Sequence, residues 1–148
     1  MRSDRATRAS ACAALGAWGA SQSLIGLYFI FLRPSFLPED LRFARTSGPS
    51  VEAATPGMEA WLQWVFAVLG GQMTAVGILV IAFSWRVWRG AAPTRTDAAA
   101  YAGAGAFTVL LMSGVNFAIG SDFRWVLVLP VILWLVALGL VSRLARSN

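Results

Sequence analysis

At 148 residues the chain is long enough for one domain with a fair-sized core. Its composition excludes a soluble one: 57% of the residues are hydrophobic, only 13% are charged and mean hydropathy is +0.65, where a soluble domain carries about 25% charge. The net charge of +5 comes from twelve arginines, no lysine and seven acids, and the arginines sit in short clusters between apolar runs rather than on one solvated face, which argues against a nucleic-acid partner.

Four apolar runs succeed one another along the chain. Ala9 to Leu32 carries no charge and ends at Arg33-Pro34, where proline cannot extend a helix. Next come Ala60 to Trp85, Ala98 to Ile119, and Phe123 to Ser142, the last broken only by Arg124 near its start. Each is long enough to cross a hydrocarbon core, which takes roughly 20 apolar residues as a helix. Arg2, Arg5 and Arg8 resemble the basic start of a signal peptide. The first run is much longer than the roughly 7–15 apolar residues of such a signal, so it is read as a retained span. Thr55-Pro56, Thr96-Asp97 and Ser121-Asp122 are the expected helix openings for spans two to four. Pro130 is expected inside the fourth span, kinking it and freeing the Val126 carbonyl. The expected fold is all-α: one integral membrane domain, residues 1–148, built as a four-helix bundle.

Arginine counting orients the bundle. One side holds Arg2, Arg5, Arg8, Arg86, Arg89, Arg95, Arg143 and Arg146; the other holds Arg33, Arg42, Arg45 and Arg124. Eight against four predicts cytoplasmic termini and a cell inner-membrane location. Tryptophans agree. Trp61 and Trp64 open the second span and Trp85 and Trp88 close it, and a helix rises about 36 Å from Trp61 to Trp85, near the separation of the two interfacial belts.

The only long connection runs from Arg33 to Glu59. Loops longer than about 12–15 residues are usually functional or disordered. Pro38-Glu39-Asp40 reads as a helix opening, and Phe36, Leu37, Leu41 and Phe43 suit a short interfacial helix, the loop then being either a lid or docking surface or a plain linker with one lipid-resting turn. Trp134, in the middle of a Leu- and Val-rich fourth span, is the remaining interface candidate. Within the spans the polar inventory is short, and Gln22, Gln72 and Asn116 are the candidate lining of a pocket. The competing reading is that amides join the helices, because an unsatisfied polar group in lipid is costly. Small residues at helical spacing (Ala9, Ala13, Gly16, Ala20; Ala67, Gly71, Ala75; Ala99, Gly103; Gly114, Ala118) predict close helix packing.

Catalytic chemistry is not legible. Histidine and lysine are absent and Cys12 is the single cysteine, so no His/Cys metal cage, disulfide or Schiff base can be built. Glu39 and Asp40 are adjacent, which on a helix points them apart and makes a poor acid/base pair. No catalytic residue, metal or cofactor is expected. No ionisable group lies mid-span, where proton and ion paths are usually marked, so an ion-coupled transporter is disfavoured.

Three stretches carry a resemblance: Gly26-Leu27 to Pro34, Val68-Leu-Gly-Gly-Gln-Met-Thr-Ala-Val-Gly77, and Gly120-Ser-Asp-Phe-Arg124. In layout and in these stretches the chain resembles the DoxX-like group of small four-span bacterial membrane proteins. Some members are described as associated with redox complexes, so the resemblance implies an accessory role and carries no site residues over. The expectation is a non-catalytic accessory or structural subunit in the lipid bilayer, packed against a protein partner or another copy of itself. The alternative is a DoxX-like redox-associated component, or a lipid- or quinone-binding protein.

Overall fold

The structure is a computed structural model that describes residues 2–147, with side chains described from residue 5 onward. Arg2, one of the arginines that orient the bundle, has its side chain outside the described residues. Among the described residues every regular element is a helix. Helix α1 (Arg2–Phe31) is followed by two short helices, α2 (Pro38–Ala44) and α3 (Gly48–Ala54), and then by α4 (Met58–Trp88). A third long helix comprises α5 (Arg95–Gly105), a π-helical turn (Ala106–Leu110) and α6 (Leu111–Ala118); α7 (Val128–Arg146) ends the bundle. Among the described residues four helices are long and apolar enough to cross a membrane, and the first loop holds two short helices where one was expected.

The helix openings differ from expectation in instructive ways. Thr55 ends α3, and Gly57, at φ 86°, is the residue that turns the chain into α4; a left-handed backbone there suits glycine. The third long helix opens at Thr94, whose hydroxyl accepts the Asp97 amide at 3.1 Å while Asp97 accepts the Thr94 amide at 2.7 Å. This is a reciprocal cap, starting two residues before the expected Thr96. The fourth span begins later than expected. Residues 122–127 form successive turns, α7 starts at Val128, and Pro130 falls in its first turn, where a missing amide hydrogen costs nothing. Proline therefore does not kink this helix, and the Val126 carbonyl is not freed, since it accepts from the Leu129 amide at 3.2 Å.

Helix α1 is central, packing antiparallel to both α4 and α7. Its contact with α4 runs backbone to backbone. A Cβ on Gly26 would lie 2.5 Å from the Gly70 carbonyl oxygen, and one on Gly77 would lie 2.5 Å from that of Gly19. The Ser84 hydroxyl adds a bond of 2.8 Å to the Cys12 carbonyl across the same seam. The packed stripe is thus Gly19, Ser23, Gly26 against Gly70, Thr74, Gly77. The stripe expected on α4, through Gly71, lies about 100° around the helix, and Gly71, Gly103 and Gly114 have nothing within 4 Å of a notional Cβ. Small-residue spacing identifies a close-packing helix but does not choose between neighbouring stripes.

The dry core occupies the arginine-rich end of the bundle. Ala11, Leu15 and Trp18 of α1 meet Val80, Phe83 and Val87 of α4, and Ala137, Val141 and Leu144 of α7. Arg8 closes this end, donating to the Val87 and Ala91 carbonyls at 3.2 and 3.3 Å, where the final carbonyls of α4 favour a cation. The outer surface is apolar throughout its middle, with Leu24, Leu79, Phe107, Leu111 and Ile132 all exposed. In water such a surface would aggregate; in lipid it is the solvated face. The chain is a multi-pass membrane protein.

Candidate functional site

The opposite end, which carries the long loop, is built differently. Helix α1 stops at Phe31 and delivers Arg33 beneath the loop. The Arg33 guanidinium lies 3.5 Å from the centroid of the Phe66 ring and 5.4 Å from that of Phe29, one helical turn back. It donates to the Pro34 carbonyl at 2.8 Å and to Asp40 Oδ2 at 2.9 Å. The same Asp40 oxygen accepts the Leu37 amide at 2.9 Å, so one carboxylate both starts α2 and fixes it to the end of α1.

Glu39 points the other way. Only 2% exposed, it accepts the Ser121 hydroxyl at 3.0 Å, and Ser121 in turn accepts the Phe123 amide at 3.1 Å. Arg42 pairs with Asp122 at 2.8 Å, and Ser35 donates to the Glu59 carbonyl at 2.9 Å. Together these contacts draw α2 over the turn between α6 and α7 and over the start of α4. The adjacent acids face different partners, as their spacing on a helix predicts.

Under this roof lies a cavity of about 530 Å³. Its walls are Leu24, Ile25 and Tyr28 of α1, Phe66 of α4, Met112, Val115 and Asn116 of α6, Ile119 just after it, and Phe123, Val126 and Leu127 of the turns before α7. The polar residues of its lining are Tyr28, Arg33, Glu39, Asp40 and Asn116. The third long helix supplies one wall. Helix α5 packs on α7, with Trp134 lying against Gly105 and its indole donating to the Tyr101 carbonyl at 2.9 Å. Past the π-turn, α6 makes only sparse contact with the other helices. A π-turn inserts a residue into the helical ladder and rotates the helix beyond it, and such turns recur at functional sites.

The expected site residues fall in different places. Asn116 lines this cavity and donates to the Met112 carbonyl of its own helix at 2.9 Å. Gln72 is on an exposed face, lining an adjoining space of about 320 Å³ that shares Phe29 and Met112 as walls. Gln22 lines neither space; it is fully buried, and neither of its amide atoms has a partner. The three are therefore not gathered in one pocket, and no amide bonds another. Of the loop residues, Leu37 lines the cavity, Phe36 and Leu41 are half-buried, and Phe43 is exposed. Trp134, expected to face outward, is buried against Gly105, since glycine there leaves room for an indole.

The residues that shape the site, Arg33, Glu39, Phe66 and Ser121, are not among those that the sequence marks as a site. A signal exists for Arg33, which lies four residues after Phe29 and so stacks on it. None exists for Glu39 with Ser121, which are joined only by the fold. Comparison with protein-family models, with curated proteins and with solved structures gives no match, and the chain is described by its architecture: a small four-span membrane protein.

Proposed function

We propose that this protein binds an amphiphile, of lipid or quinone type, in the cavity at the loop end of its bundle. The observation that carries this reading is the cavity itself, whose volume falls in the range of about 300–1,000 Å³ typical of ligand sites and whose walls are apolar with a few convergent polar groups. The aromatic and aliphatic walls accept a tail, and the polar groups at the roof accept a head. Arginine counting supports a cell inner-membrane setting with both termini cytoplasmic and this cavity toward the outer side. Organic extraction of protein purified in mild detergent tests the reading. One amphiphile per chain is expected from the wild type, and Ile119→Trp, which enlarges a residue of the cavity wall so as to fill the space, should remove it with the helical content unchanged. No bound amphiphile in the wild type refutes it.

A second reading, an accessory subunit packed against a larger complex, is favoured by the outward glycines. Gly71, Gly103 and Gly114 leave open backbone on the lipid side, where another helix can approach closely. A DoxX-like redox association belongs with this reading. Gly103→Leu should then lose a stoichiometric partner in a mild-detergent pull-down while the chain itself remains folded; a wild type that purifies alone refutes it.

A further inference from the structure

The charges of the roof are matched only in part, and Arg124, whose guanidinium donates to the Ser121 carbonyl at 3.4 Å, makes no ion pair among the described residues. Arg33 pairs with Asp40 and Arg42 with Asp122, while Glu39, 2% exposed and lining the cavity, has the neutral hydroxyl of Ser121 as its hydrogen-bond partner. No arginine among the described residues lies within ion-pair distance of it. A buried carboxylate without a counter-charge is costly, so the cavity is electrostatically incomplete. Hydrocarbon does not complete it. Lipid tails are as apolar as the cavity walls and gain nothing by moving between them, so the head group decides what binds. A bare metal cation asks for several oxygen ligands, whereas Tyr28 and Phe123, whose rings do not carry the Arg33 guanidinium, offer aromatic surface, which suits an organic cation.

We propose that the occupant is an amphiphile with an ammonium head, its charge set against Glu39 and its apolar body between α1 and α6. This deepens the binding reading of the same cavity and rests on it. The test uses the full chain in dodecyl maltoside, titrated with dodecylammonium, dodecanol, dodecyl sulfate and a short-tailed quinone, with bound species counted by native mass spectrometry. Dodecylammonium is expected to bind about tenfold or more tightly than dodecanol. Glu39→Gln, which keeps an acceptor for Ser121, should bring the two within about twofold and leave dodecanol binding unchanged. Ser121→Ala, which keeps the carboxylate, should retain the preference. Competition separates the sources of the head group. Displacement of dodecylammonium by phosphatidylethanolamine, and not by phosphatidylglycerol, assigns the site to a lipid; no displacement by either assigns it to a single-chain amine.

Equal binding of dodecylammonium and dodecanol, tighter binding of the quinone, or a preference that persists in Glu39→Gln overturns the ammonium assignment and leaves amphiphile binding intact. Binding of none of the four overturns both. Should Glu39→Gln fail to fold, the wild-type ratio decides.

Discussion

Gly26 and Gly70 face each other so closely that each would drive a Cβ toward the other's backbone, which cannot move aside as a side-chain tip can. Gly26→Ala is therefore expected to destabilise the bundle by about 1–3 kcal/mol. Gly71→Ala, one residue along from Gly70 and facing open space, should stay within about 0.5 kcal/mol of the wild type. Detergent unfolding followed by circular dichroism compares the pair, and equal effects would reject the assignment of the packed stripe. Arg33 is held as tightly by different forces: ring stacking, a carbonyl and a carboxylate. Arg33→Gln leaves Asp40 without its cation. Because the Asp40 side chain keeps 28% of its exposure, the expected loss is about 2 kcal/mol, below the roughly 3–5 kcal/mol of a fully buried pair. Limited proteolysis should then cut between residues 33 and 57 at a lower protease concentration, with the long helices intact.

At the scale of elements, the third long helix does two jobs in sequence. Helix α5 is locked to α7 through Gly105 and Trp134, and past the π-turn α6, in sparse contact with the other helices, forms one wall of the cavity. Removing one residue from 106–110 converts that turn to regular α-helix and rotates α6 by about 100°. The expected result is loss of amphiphile binding with the Trp134 environment preserved, read from near-ultraviolet circular dichroism. A deletion that binds as the wild type does would show that the π-turn has no part in shaping the site. The long loop is an element in the same sense. Asp40 starts α2 and fixes it, while Glu39, the residue before, reaches to the far turn, so neighbouring acids serve as an anchor and as a cavity lining.

The whole molecule differs in construction along its axis. The arginine-rich end is dry, built of Leu15, Trp18, Val87 and Val141; the loop end is open and roofed. Topology is set along the same axis. In a Cys12→Ser background, a cysteine at Ser50 is expected to react with an impermeant maleimide added outside intact cells, and one at Thr94 only after the membrane is opened. Both positions are exposed. The reverse pattern would invert the protein in the membrane. Cys12 itself is buried in the core, so the unmodified chain should label weakly on either side.

Sequence alone determined the membrane class, the number of crossings and the helical fold, because a bilayer admits so few solutions: long uncharged runs must become rods that satisfy their own backbone. It also showed that Glu39 and Asp40 point apart, a consequence of helical geometry within one turn. Tertiary structure decided which small residues meet, whether Trp134 faces lipid or core, where the last helix begins, and that Glu39 meets Ser121 from the other end of the chain. These depend on the rotation of each rod about its own axis and on contacts between residues distant in the chain. Hydrophobic pattern is silent on both when every face of a rod is apolar and lipid serves as well as protein for a neighbour.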